Sequence, residues 1–410
     1  MTEARAIYPG RLWIVGAAVL LALLLVCLLL RRGNVAAIGQ RAVDKTQDAS
    51  GSGTVALSAA EKARRAAIAA LGPIHEKGIN GADLYGEALA LYAKLSDGDK
   101  AVLGRRYEKH DPAVDAALAA RIEPIMELLR KARKAPYVDW GFEPVKPWTD
   151  VSERFKHEQS IANLALWDAG YQFQTDPDAA VSDLAAMEAF SRSQADSIQG
   201  LEVEREINGS GVRLLAENAT IITADSAPDI TAIVNASAVE GSYQAAMDNL
   251  AWNAGQLAAE YPKTPEGQAG VFDDLEKYDG VPADAVVPAL EWMGKTATGL
   301  GATITETDAQ YQQWRAQQRA STESQQFADA ILGNCDNQRG EEQAAIVGGA
   351  MLQAGIAIEQ GDQTQFQSIV DPVTGKPFGY TQTKTGFQLG SALQLNGGPV
   401  TLDFPAPAGK

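Results

Sequence analysis

Cysteine is almost missing from this chain: 410 residues carry two, Cys27 and Cys335. Cys27 lies inside an apolar run, so Cys335 has no partner outside it and no intramolecular disulfide braces the body. Asn334 and Asp336 flank Cys335, and no base adjoins it to lower its pKa, so an inert thiol is expected. Histidine is nearly as scarce. His75, His110 and His157 stand far apart. The pair His157-Glu158 matches only the first half of a His-Glu-x-x-His zinc helix, because Ile161 stands where the second histidine belongs. A solvent-facing histidine in an early helical turn is the expectation there. No Gly-x-Ser-x-Gly, P-loop or Gly-x-Gly-x-x-Gly stretch occurs, so hydrolase and nucleotide templates find no foothold. Nothing calls for a cofactor, and none is expected.

Positive charge is also short. The net charge is −17, and it is uneven. Residues 1–160 carry 23 Lys/Arg against 19 Asp/Glu, whereas residues 161–410 carry 12 against 33. An acidic distal half repels phosphate backbones and anionic lipid headgroups, which argues against nucleic-acid binding and for a body that stands off a membrane surface.

What the chain does have is one long uncharged run. From Leu12 to Leu30 there are 19 residues without a charge, bracketed by Arg11 and Arg31-Arg32. As a helix they would cover about 28 Å, close to the hydrocarbon thickness of a bilayer. Leu12, Trp13, Leu20, Leu24 and Leu30 are the expected anchor residues, in contact with lipid through 12–30. The run is longer than the apolar core of a cleaved secretion signal and ends in arginines rather than a small-x-small cleavage site. Val26 precedes Cys27 where a lipoprotein site needs a small residue. An uncleaved signal-anchor is therefore the reading. Flanking positive charges nearly balance, and long domains cross largely regardless of charge; a body outside the cytoplasm is the orientation favoured here.

After the anchor, residues 31–58 contain Asp48-Ala-Ser-Gly-Ser-Gly-Thr54 and no sustained apolar period, as a flexible tether would. Residues 59–365 read as a mainly α-helical body, and 366–410 as a small β-rich segment. Leu84, Ala88, Leu91 and Leu95 recur at helical spacing, as do Leu118, Ile122, Ile125 and Leu129. Pro124 should bend the second helix or begin a new one. Ile161, Leu164, Ala165 and Asp168 open a further apolar face that continues through Tyr171. At Thr175-Asp-Pro-Asp178 the signal for a turn into a helix is clear: Asp176 can cap, Pro177 fits the first turn, and Asp178 suits the dipole. The helix that follows is expected to run through Leu184, Met187 and Phe190 towards Glu206. Later helices are expected at Val212–Ile222, Ile230–Tyr261, Ala283–Thr298, Ala309–Leu332 and Glu341–Glu359. Loops are expected at Asp225–Asp229, Pro262–Gly267 and Gly280–Pro282. Ala344–Ile358 is too short and too interrupted, by Gln353, for a second span and reads as a buried core helix. Near the end, Asp371-Pro-Val-Thr-Gly-Lys-Pro377 is a turn. A short β-hairpin about Tyr380 and Gly386-Phe387 follows, then the turn Asn396–Pro399 leading into Val400–Phe404.

Three islands carry a resemblance: Gly81-Ala-Asp-Leu-Tyr-Gly-Glu-Ala-Leu89; Ala135-Pro-Tyr-Val-Asp-Trp-Gly141; and Asp371-Pro372 with Gly375-Lys-Pro-Phe378, Tyr380 and Gly386-Phe387. Together they resemble an uncharacterised group of bacterial membrane-anchored, mainly helical proteins with a short C-terminal β-hairpin. The resemblance implies architecture and no activity; a bacterial inner membrane is the expected location. The chain lacks the aspartate-rich glycine segment expected after the hairpin in that group. Asp176-Pro-Asp-Ala-Ala180, with Tyr171 before and Leu184 after, also looks like a single tetratricopeptide helix pair, without a 34-residue repeat elsewhere.

Two stretches merit a chemical test. Glu202 and Glu206 share a helix face at i,i+4, where paired carboxylates can bind a cation or exchange protons, although such a run is usually solvated. Asp139-Trp140, followed by Pro144, Pro147 and Trp148, either packs a loop onto the helices or lines a pocket. In the pocket reading, Trp140 and Trp148 stack on a sugar or peptide while Asp139 orients it. The function expected is a single-pass membrane-anchored scaffold or interaction module with an unidentified protein partner. The alternative is a protein or enzyme that binds an envelope polymer through the Asp139–Trp148 loop.

Overall fold

The computed structural model describes residues 80–104, 110–140, 152–195, 198–237, 240–260, 283–304, 306–322, 325–395 and 397–406. The anchor residues Leu12, Trp13, Leu20, Leu24 and Leu30, the tether, the loops Pro262–Gly267 and Gly280–Pro282, and Trp148 lie outside them. The described chain is mainly helical and ends in a small antiparallel sheet. Its helices are α1 Gly81–Ala93, α2 Asp97–Leu103, α3 Pro112–Arg133, α4 Ser152–Gln172, α5 Pro177–Arg192 and α6 Ile198–Glu217. There follow α7 Ala227–Ser237, α8 Glu240–Glu260, α9 Val286–Ala302, α10 Asp308–Ala320, α11 Gln325–Glu359 and α12 Gln363–Ser368. The strands are β1 Gly379–Gln382, β2 Gly386–Leu395 and β3 Gly398–Pro405, in the order β1-β2-β3. The expected hairpin and the Val400–Phe404 stretch join in this one sheet, β3 pairing with β2. Among the described residues, no helix is long and apolar enough to cross a membrane.

The chain forms two compact units. The larger holds residues 64–142, 151–246 and 340–410; the smaller includes 247–339. In the larger unit α5 is the central helix, packed by α3, α4, α6 and α7. Its start is local chemistry: Asp176 accepts the Ala179 amide at 3.1 Å, and Pro177 occupies the first turn where its missing N–H costs nothing. Leu184, Met187 and Phe190 then point into one core with Ile161 and Leu164 of α4, Ile122, Met126 and Leu129 of α3, and Leu215 of α6. α3 runs through Pro124 as one helix. The helix expected from Leu184 to Glu206 is instead two. Gln194 and Ala195 close tight turns onto Ser191 and Arg192, and the chain re-enters a helix at Ile198. A side chain at Gly200 would sit 2.6 Å from the Gln194 carbonyl, so this reversal needs glycine. Glu206 and Val212 consequently share α6.

Other boundaries move for similar reasons. The Asp225–Asp229 loop is a short 3₁₀ turn followed by α7; Thr223 accepts the Asp225 amide, and Asp178 accepts from Thr223 and Ser226 at 2.7 and 2.5 Å. Ile230–Tyr261 is divided between α7 and α8, and Ala309–Leu332 between α10 and α11. Beyond that division α11 runs on without a break through Glu359, taking in the separate Glu341–Glu359 helix. Apolar periodicity continues across such joins and conceals them.

The sheet packs against helical residues of the same unit. A side chain added at Gly355 would meet the Phe404 ring at 2.0 Å, and that ring is 3% exposed and stacked on Phe387 at 4.9 Å. In the smaller unit, Gly294 of α9 lies against the Ala251 carbonyl. The Trp292 indole donates to the Gln318 carbonyl at 3.0 Å and meets Phe327 edge-on. Arg339 lies over the Tyr311 ring and donates to the carbonyls of Thr303 and Glu306.

Candidate functional site

The first two resemblance islands come together in the larger unit. Asn80 caps α1 through the Ala82 amide, and the same side chain clasps the Asp139 backbone, accepting its N–H at 2.8 Å and donating to its carbonyl at 2.7 Å. Trp140 stacks on Tyr85 at 5.9 Å, meets Phe190 edge-on at 6.2 Å, and donates its indole N–H to Ser193 at 3.2 Å. Burial pushes the Tyr85 phenol well above its ordinary range, against the pull of Arg133 and Arg192. Asp139 and Trp140 are therefore seated on α1 and α5 by backbone clasp and ring stacking. Trp148 is not among the described residues, so the trio is not seen assembled.

The buried charges lie elsewhere, along α5. Asp183 of α5 and Asp168 of α4 are both 0% exposed. Arg130 of α3 donates its Nε to Asp183 at 2.5 Å and its other nitrogens to Glu123 at 2.8 and 3.2 Å. The Asp168 and Asp183 carboxyls lie within hydrogen-bonding reach of each other. Burial pushes Asp168 up to about 8, the Asp183 and Glu123 charges add to this, and Arg130 opposes it. Burial also raises Asp183, against its bond to Arg130.

Further along the same helix stands a second group. Glu188 of α5, Glu204 of α6 and Glu342 of α11 are 2%, 5% and 6% exposed. Arg205 donates to Glu341 at 2.8 Å and lies 3.4 Å from Glu342. Burial lifts Glu188 to about 7 while Arg192 and Asn208 pull it back. Glu204 is raised well above the usual carboxylate range, first by burial and then by Glu188 and Glu342. Glu158 is fully buried too and accepts the Ser191 hydroxyl at 2.5 Å, while its neighbour His157 faces solvent.

The expected Glu202–Glu206 pair is not the buried one; Glu206 is exposed, and Glu204 between them turns inward. A signal existed. Leu201, Glu204, Asn208 and Leu215 fall on one helical stripe, as do Ala180, Asp183, Met187 and Phe190, and an acid on an apolar stripe must be paired or protonated. Among the described residues, no group of three or more His, Cys, Asp or Glu is arranged to hold a metal ion. Cys335 is buried, and burial together with Asp336 pushes its thiol up to about 12, an environment that suppresses thiolate chemistry. What these acids can do is hold and exchange protons inside a helical core. Comparison with family models, with curated proteins and with solved structures returns no match for this chain.

Proposed function

We propose that this protein is a single-pass membrane-anchored helical scaffold or interaction module, held by lipid contact through residues 12–30 and engaging a protein partner through its body. The carrying observation is the run of 19 uncharged residues between Arg11 and Arg31-Arg32. Its length suits a bilayer and its flanks suit retention rather than cleavage. The Gly/Ser-containing tether after it and the distal excess of acid support a helical body displaced from the lipid surface. We place the body outside the cytoplasm, at a bacterial inner membrane.

Carbonate washing of membranes from cells making the full chain tests the anchor. The protein is expected to stay in the pellet, and Leu20→Arg with Leu24→Arg together to release it or prevent its insertion. Wild-type protein that begins downstream of Arg32 and washes off overturns the proposal. Cross-linking in intact membranes tests the interaction: a reproducible partner, lost when the body is removed, supports it, and repeated recovery of the chain alone counts against it. Protease accessibility of a C-terminal tag in spheroplasts decides the orientation.

A further inference from the structure

We infer that the Asp168–Asp183 pair is a proton-binding site: the folded larger unit holds one proton between these two carboxyl groups, which makes the α4–α5 contact proton-linked. Both side chains are sealed from solvent on facing helices. With both ionised, neither oxygen of Asp168 nor Oδ2 of Asp183 has a donor among the described residues, although the two carboxyls lie within hydrogen-bonding reach of each other. A single proton on Asp168 removes the conflict, because the acid then donates to the carboxylate that Arg130 already holds. Backbone amides cannot substitute, since those of a helix interior are bonded within the helix.

Among the described residues, the charged groups that face the pair are Arg130 and Glu123 of α3. Arg130 is divided between Asp183 and Glu123, and among the described residues Asp168 has no cation of its own. The site is too enclosed for a substrate, which makes it a regulatory device rather than a catalytic one. The expected transition lies near pH 8, where burial and the neighbouring acid have moved Asp168.

The test uses the full chain in detergent micelles. Asp168→Asn retains an N–H donor for Asp183 and removes the titrating proton. Urea unfolding is followed between pH 5 and 9.5, with ¹³C-carboxyl NMR of selectively labelled aspartate alongside. Between pH 5 and 8 the wild-type unfolding constant should grow relative to that of the variant by about tenfold per pH unit, then level off. An aspartate carboxyl titrating between pH 7 and 9 is expected in the wild type. Parallel stability curves overturn the inference, as does a spectrum in which every aspartate has finished titrating by pH 5.5. Should Asp168→Asn not fold, the wild-type titration alone decides, in either direction.

Discussion

Asp168 in the helical core and Asp371 beside the sheet are buried almost equally, at 0% and 1% exposure, yet their acidities move apart. Asp371 opens the turn before β1. Its Oδ1 accepts the amides of Val373 and Thr374 at 2.9 and 3.0 Å, and its other oxygen accepts the Ser391 hydroxyl. Burial pushes Asp371 upward, but donation from Ser391, Thr374 and Val373 outweighs it and holds the carboxyl below its ordinary value. Among the described residues Asp168 has no such donors, and it rises to about 8. The difference lies in the backbone. A turn leaves amide hydrogens free to meet a carboxylate, whereas a helix consumes them internally, so an acid inside a helical core depends on side chains or on a proton.

The largest effect is expected from removing the cation of the helical pair. Arg130→Met should cost about 3 kcal/mol at neutral pH, because Asp183 is left buried and ionised. The loss should shrink at pH 5, where Asp183 too can be protonated; urea unfolding at the two values checks it. Next comes the turn. Asp371→Ala strands the Ser391 hydroxyl and two amides, an expected loss of about 2 kcal/mol, visible as faster hydrogen exchange in β2. Asp371→Asn sharpens the contrast through pH. The folded carboxyl lies below its ordinary value, so its stabilisation is complete above that value and disappears as pH falls through the lowered one. Asp168 acts in the opposite sense: its folded acidity is weaker, and stability falls as pH rises towards 8. The two asparagine variants should therefore depart from wild type on opposite flanks of one stability curve. Smallest is Asn80→Ala, which loses the α1 cap and the clasp on Asp139. About 1 kcal/mol is expected in thermal unfolding, with increased exchange at Asp139 and Trp140.

Where a cause was local, it was legible in the sequence. Asp176-Pro177 announces the start of α5, and the structure places cap and proline as the residues imply. The turn at Asp371 and the strands after it were equally visible, because glycine, proline and β-formers act on their immediate neighbours. Ala344–Ile358 is part of a long helix in which Val347, Met351 and Leu352 are buried, matching its apolar run. The break between α5 and α6 was hidden, because the apolar period resumes in phase beyond Gln194. Asp168 already stood on the stripe of Ile161 and Leu164, but its partner lies on another helix and spacing within one helix cannot name it. Glu204 is masked in the sequence because its neighbours Glu202, Arg205 and Glu206 make the segment look solvated throughout.

Gly355 carries a consequence for the history of this chain. Its α-hydrogen side faces a ring that Phe387 keeps from swinging away. In diverging sequences the two positions should change together: alanine or larger at 355 is tolerable only where 404 has shrunk from phenylalanine. Descendants that kept the aromatic should have kept the glycine, and a family tree in which 355 drifts while 404 stays large would describe a differently assembled C-terminus.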